Sequence, residues 1–194
     1  MAGIGIFGGT FDPPHLGHER AARAAADALE LDEVLWVVAS DPYLREQAPT
    51  ASGADRLAMV EAACDADPRF VASDLELTRG GPSYSVDTAR ALRASHPGAR
   101  LVLIVGADLV AGLPSWHEAA ELAQLVEVAV VPRPGSPAPS APEGFATQLL
   151  PMEAVDLSSS VLREALVSGA TPAQGLAEGV VRVLTKRHLY DSGL

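Results

Sequence analysis

Short apolar runs alternate along this chain with longer stretches in which apolar residues return every three or four positions. The short runs suit strands buried on both faces, and the longer spacing suits helices with one face turned inward. Residues 4–7 read as a short buried strand that stops at Gly8-Gly9, and the alanine-rich stretch 18–29 as a helix. Residues 34–38 form a second apolar run, 54–64 fit a helix opened near Ser52 or Gly53, and 70–73 fit a further strand. Residues 85–95 fit a helix stopped by Pro97-Gly98. The clearest central strand is 101–105, apolar throughout between Arg100 and Gly106. Ser115 and Glu118 have the spacing of a capping box, which predicts a helix to about Leu125, followed by a strand over 126–131. Helical patterns over 158–168 and 176–188 close the chain, the second with Thr171-Pro172 as its N-cap and first-turn proline. Strands alternating with helices predict right-handed crossovers and a doubly wound α/β architecture. Its central parallel sheet carries helices on both faces, with the closing helices after it.

One segment breaks the alternation. Residues 132–144, PRPGSPAPSAPEG, are dominated by Pro, Ser and Gly and predict an exposed loop without a core. The 50 residues after it are few for a second core, so a single domain over 1–194 is expected.

Composition narrows the chemistry. The 194 residues carry 14 Lys plus Arg against 25 Asp plus Glu, a formal net charge of −11. Such a balance argues against sequence-independent nucleic-acid binding and against an anionic membrane surface as partners. Cys64 is the single cysteine, which leaves no intrachain disulfide and no cysteine zinc cluster. Lys186 is the single lysine, so no P-loop is present and a Schiff base could form only there. With no long apolar stretch and no basic, apolar leader, the expected location is the cytoplasm.

The strongest local signal is GGTFDPPHLGH, residues 8–18, placed between the first strand and the first helix. In an open α/β sheet, ligands bind beyond the carboxyl ends of the strands. A helix start offers unpaired N–H groups and partial positive charge, which favour phosphate. Gly8 and Gly9 let the backbone approach a ligand, and Gly17 leaves room between His15 and His18. Those two imidazoles, three residues apart, share a face once the chain has begun to turn. Each piece alone has an ordinary explanation, a tight turn or a helix cap; together, in one βα junction, they point to a polyphosphate site.

This stretch resembles the signature of the HxGH nucleotidyltransferase superfamily, and the chain is most similar to the bacterial nicotinate-nucleotide adenylyltransferases within it. The resemblance continues in family order through PSYSVDT (82–88), IVGADLVAGLPSWHEAAEL (104–122), VPRPG (131–135), SSSVLR (158–163) and the closing HLY (188–190). It implies a single Rossmann-like domain. It also implies transfer of the adenylyl group of ATP to nicotinate mononucleotide, giving nicotinate adenine dinucleotide and pyrophosphate. Mg²⁺ would accompany ATP, held by phosphates and water rather than by a protein cage. His15, His18 and Arg163 would be the catalytic residues. Gly8, Gly9, Thr10, Phe11, Gly106, Asp108, Arg133, Ser158 and Ser159 would bind ATP. Arg45, Tyr84, Ser85, Leu113 and Trp116 would form the acceptor pocket, with Trp116 stacked on the pyridine ring.

The residues also have plain structural readings. Ser158 and Ser159 suit helix capping, Asp108 an N-cap, Trp116 a core position, and an Arg such as Arg133 simple solvation. The chain departs from the family in the loop after the second strand, where ASDPYLREQ (39–47) replaces a PPHK-like sequence, and in SSS for SST. The loop leaves open another acceptor or nucleotide, such as nicotinamide mononucleotide or CTP. A non-catalytic nucleotide sensor on the same fold is the rival of a different class, although it has no need to keep His15, His18 and Arg163. Pantetheine-phosphate adenylyltransferases differ in having Thr at the place of His15. A metal-binding protein using His15 and His18 lacks further ligands at fixed spacing. Oligomeric state, a homo-oligomer included, stays open.

Overall fold

The computed structural model describes residues 2–42, 48–135, 140–169 and 175–190. Its strands are β1 (Gly3–Gly9), β2 (Glu33–Val38), β3 (Phe70–Ser73), β4 (Arg100–Gly106), β5 (Glu127–Val131) and β6 (Thr147–Leu149). Its helices are α1 (Leu16–Ala28), α2 (Gly53–Cys64), α3 (Leu75–Arg79), α4 (Ser85–Ser95), α5 (Ala107–Val110), α6 (Ala119–Leu125), α7 (Ser159–Val167) and α8 (Glu178–Arg187). All pairings are parallel, in the order β3-β2-β1-β4-β5-β6. The chain winds outward from β1 through β2 to β3, then returns to β4 and winds the other way. The order therefore reverses between β1 and β4, where a doubly wound sheet opens its binding crevice.

Strand side chains alternate between two cores. Val34, Trp36, Val102 and Ile104 face one layer, with Ala22 and Ala25 of α1 and Met59 and Val60 of α2. Leu35, Val37, Leu101 and Leu103 face the other, with Val86 and Ala89 of α4 and Leu122 of α6. Both faces of the central strands are thus dry, which is why these runs are apolar without alternation. Gly5 is part of that packing, since a Cβ there would sit 3.0 Å from Leu31 and 3.2 Å from Ile104. Among the described residues, no helix is long and apolar enough to cross a membrane.

Three elements had no signal in the sequence pattern. The helices α3 and α5 are too short to show a helical period. The strand β6 has the sequence TQL and owes its form to parallel pairing with β5. The predicted capping box at Ser115 is not formed. Leu113–Ser115 is a 3₁₀ turn with Pro114 in its first positions, and the Ser115 hydroxyl donates to the Gly112 carbonyl at 2.7 Å. Trp116 is extended, and α6 starts only after Glu118, whose carboxylate is engaged by Arg90. Thr171 and Pro172 lie outside the described residues, and α8 opens later than expected, with Ala177 as its N-cap.

Candidate active site

The signature turn leaves β1 at the switch point and bends sharply. Phe11 takes a left-handed conformation (φ 50°), and the Asp12-Pro13 peptide is cis. The Phe11 ring folds back into the core against Phe7 and Trp36, with ring centres 5.6 and 5.3 Å away. It also lies over Gly9, where a Cβ would meet the ring at 2.8 Å. Gly9 therefore makes room for Phe11, whereas the space beside Gly8 is open. Thr10 and Phe11 are both buried, and Phe11 at 2% exposure can offer a ligand only its backbone.

His15 is the N-cap of α1, and His18 occupies the third position of that helix. Their rings stack with centres 3.7 Å apart, and the His15 N–H donates to Nδ1 of His18 at 3.1 Å. That bond places the proton of a neutral His18 on Nε2. Gly17 is required by the stack, because a Cβ there would meet Nδ1 of His15 at 2.9 Å. Burial first, and the Arg133 cation second, hold the His15 imidazole down to about 4, so it is neutral at neutral pH. Its buried Nδ1 has no protein partner among the described residues. His18 packs edge-on against Phe7 and Phe11, with ring centres at 5.8 and 5.2 Å, which fixes its plane.

Across the crevice, Gly106 ends β4. A Cβ on it would collide with Asp108 and come 3.0 Å from Nε of Arg133. Arg133 and Asp108 form an ion pair at 3.5 Å, both partly exposed. The structure thus brings His15, His18, Gly106, Asp108 and Arg133 to the carboxyl ends of β1, β4 and β5.

The helix α7 meets the signature turn from the C-terminal side. Ser158 caps it, accepting from the Val161 N–H at 3.3 Å, so its ordinary capping role is real. The Ser159 hydroxyl donates to the Pro13 carbonyl at 2.8 Å. Nη1 of Arg163 donates to the Asp12 carbonyl at 2.5 Å and stands 3.7 Å from the Asp12 carboxylate. Ser159 and Arg163 therefore hold the backbone of the turn itself.

Three members of this site were not singled out from the sequence. The Asp12 carboxylate is buried and accepts from the Thr50 and Ala51 N–H groups at 2.8 and 3.1 Å and from the Tyr190 hydroxyl at 2.5 Å. Arg56 is also buried and donates to the Thr10, Ala39 and Ala51 carbonyls at 2.9, 2.8 and 3.3 Å. Arg56 had a legible signal: it shares the inward stripe of α2 with Met59, Val60 and Ala63, where an arginine is unexpected.

On the other side of the switch point lie the predicted acceptor residues. Tyr84 is the N-cap of α4 and Ser85 its first residue. The Tyr84 ring stacks on His117, which sequence reasoning passed over, with centres 4.1 Å apart and 24° between planes. Trp116 is half-buried and packs on the α4–α6 core, so its core reading and an exposed edge coexist. Leu113 is fully buried; it anchors the Leu113–Ser115 turn and lines no surface. Arg90 joins the two halves, donating to Asp87 at 2.9 Å, to Glu121 at 2.7 Å and to Glu118. The loop that begins at Ala39 is tied to this wall, since Ser40 N–H donates to the Ser83 hydroxyl at 2.9 Å and Ser83 N–H to the Asp41 carbonyl at 3.0 Å. Arg45 lies outside the described residues.

A six-stranded parallel sheet with stacked histidines at its reversal point defines a Rossmann-like α/β protein whose crevice suits a phosphorylated ligand. The chain belongs to the cytidylyltransferase-like family, whose model matches residues 6–165, and within it to the nicotinate-nucleotide adenylyltransferases. A protein of Shouchella clausii described as a probable nicotinate-nucleotide adenylyltransferase is 42% identical over 190 residues, 98% of this chain and 97% of its own. A protein of Gloeobacter violaceus with the same description is 41% identical, over 97% of this chain and 96% of its own. The same fold occurs in Plasmodium falciparum nicotinic acid mononucleotide adenylyltransferase complexed with NaAD. That structure has a TM-score of 0.81 at 18% identity, covering 100% of this chain and 99% of the other.

Proposed function

We propose that this protein transfers the adenylyl group of ATP to nicotinate mononucleotide, forming nicotinate adenine dinucleotide and releasing pyrophosphate. The observation that carries this reading is the stacked His15–His18 pair at the start of α1, opposite Arg133, in a chain of about 40% identity to relatives of that description. An oxygen of the acceptor phosphate attacks the α-phosphorus of ATP in line. The new P–O bond forms as the bond from the α-phosphorus to pyrophosphate breaks, and no covalent enzyme intermediate arises. The protein's share is positioning and stabilisation of charge.

His18, its proton directed to Nε2 by the bond from the His15 backbone, donates to a phosphate oxygen. His15 enters the reaction neutral, and an arriving triphosphate favours its charged form. Arg133 adds positive charge beside them, and Gly8 and Gly106 let the nucleotide approach the backbone. Asp108, paired with Arg133, accepts from ribose hydroxyls. Arg163, with Ser159, keeps the signature turn in shape and lends its charge to the same pocket. On the acceptor side, Trp116 offers a face to the pyridine ring, Tyr84 and Ser85 close the wall, Leu113 supports it from behind, and Arg45 takes the acceptor phosphate.

The described residues include no group of three or more His, Cys, Asp or Glu side chains able to cage a metal ion. Mg²⁺ would come to this site as part of the substrate, carried on ATP, and would offset the charge of its phosphates. The cytoplasm, where ATP is abundant, is the proposed setting of this reaction.

The test is pyrophosphate release measured across a panel of acceptors and nucleoside triphosphates. ATP with nicotinate mononucleotide should give the highest kcat/KM; a better pair overturns the assignment of the acceptor. In the same assay His18→Ala should lose roughly 10²–10³ in kcat, the cost of removing a transition-state donor.

A further inference from the structure

From the proposed reaction, on which this inference rests, we infer that Tyr190 is a positioning residue. Its hydroxyl holds the Asp12 carboxylate so that the ATP-side turn and the acceptor-side loop keep one fixed spacing.

Asp12 sits in the middle of the signature turn, and its side chain packs inside the protein. It is 3% exposed, and its carboxylate accepts from the Thr50 and Ala51 N–H groups, where the acceptor loop runs into α2. A buried carboxylate is costly unless its lone pairs are filled, and backbone donors alone leave it short. The buried Arg56 cation is close enough to act on this carboxylate, and its further direct contacts come from the far end of the chain. Tyr190 donates to Oδ1 at 2.5 Å, and Arg163 stands 3.7 Å from Oδ2.

Tyr190 is fitted to this task. It is 7% exposed, and its backbone is left-handed (φ 62°), a conformation that tertiary contacts must hold. Burial, and then the hydrogen bond to Asp12, push its phenol well above the ordinary range, so it stays a donor at every working pH. Phenylalanine would fill the same space and pack as well, so selection for core filling alone gives no reason for the hydroxyl.

The consequence is geometric. The acceptor loop is fastened at its entry through Ser40 and Ser83 and at its exit through Asp12. The entry is tied to the acceptor wall, and the exit is tied to the turn that carries His15 and His18. In-line transfer depends on the relative placement of two substrates, and an error of about 1 Å in such placement can cost 10²-fold in rate. Losing the hydroxyl leaves Asp12 under-satisfied, so Asp12 and the Thr50–Ala51 backbone can move together away from the ATP-side turn.

The test is Tyr190→Phe in the full chain, read in two ways. By hydrogen exchange, the Thr50 and Ala51 amides should exchange about tenfold faster than in the unsubstituted protein, with the strand amides of β1 and β4 unchanged. By steady-state kinetics below the unfolding range, kcat should fall about 10- to 100-fold and the acceptor KM should rise, while the KM for ATP alters little. Unchanged exchange at Thr50 and Ala51 overturns the latch. Faster exchange with kcat and acceptor KM intact makes the contact purely structural and overturns the positioning role. Should the unsubstituted protein release no pyrophosphate from ATP and nicotinate mononucleotide, the reaction itself is wrong and the positioning role falls with it. The exchange data then still decide whether the latch exists. Asp12→Asn serves as a second variant if Tyr190→Phe does not fold. Its amide nitrogen cannot accept from an N–H, so the same two changes should appear in stronger form.

Discussion

At His15, burial and the Arg133 cation together outweigh the backbone hydrogen bond that favours protonation. The folded chain therefore holds this imidazole at about 4, below its ordinary 6.5, and between those values the unfolded chain binds the extra proton. The stability contributed by neutral His15 is complete above about pH 6.5 and is lost as pH falls through about 4. Thermal unfolding followed across that window should show Tm falling on acidification, and His15→Gln should flatten the slope. Glu19 works in the opposite sense, since burial raises its carboxyl, so the difference between the two proteins is the quantity to read. Residue by residue, legibility followed locality. His15, His18 and Gly17 declared themselves by sitting together in sequence. Asp12 and Tyr190 did not, because 178 positions separate the two ends of their hydrogen bond and neither end means anything without the other. The packing of Phe11 on Gly9 was hidden for a related reason: spacing alone does not say that the room left by the glycine is filled by a ring two residues on.

Among the elements, long periodic segments were legible and junctions were not. The helices α2 and α4 lie where apolar spacing predicts them, and the strands differ by a residue or two at their ends. The segment from Leu113 to Glu118 shows what a local pattern leaves out. Ser115 and Glu118 have capping-box spacing, but Pro114 favours the tight turn and Arg90, on another helix, captures the glutamate. Arg90 is thereby the strut between α4, which carries Tyr84 at its cap, and the Trp116–His117 turn. Being surface pairs, these contacts add little to overall stability, but they set an angle. Arg90→Ala should leave Tm nearly unchanged and raise the acceptor KM several-fold with the ATP KM untouched. Equal rises in both would remove the strut from the acceptor side.

For the molecule as a whole, stability and chemistry are held in different places. The cores lie along both faces of the sheet, and the candidate site lies at one edge of it, beyond the carboxyl ends of β1, β4 and β5. Leu103, 3% exposed in the α4–α6 layer, should on substitution by Ala cost about 2–5 kcal/mol of stability in denaturant unfolding. Its kcat, measured below the transition, should match that of the unsubstituted protein. The parallel, doubly wound plan was readable because alternation of strands and helices allows few other solutions. The winding order was not, since no single segment encodes which neighbour a strand chooses.

The loop fastened at both ends has a meaning beyond catalysis. Ser83 and Asp12 grip its margins through backbone N–H groups, which any residue but proline would supply at those positions. The stretch between them is thus free to be rewritten without disturbing the frame that holds it, much as antigen-binding loops vary on a constant scaffold. The stretch inside those margins, residues 42–49, is then in effect an exchangeable cassette. New acceptor preferences could be selected, or engineered, by grafting that stretch alone while the rest of the chain stays as it is.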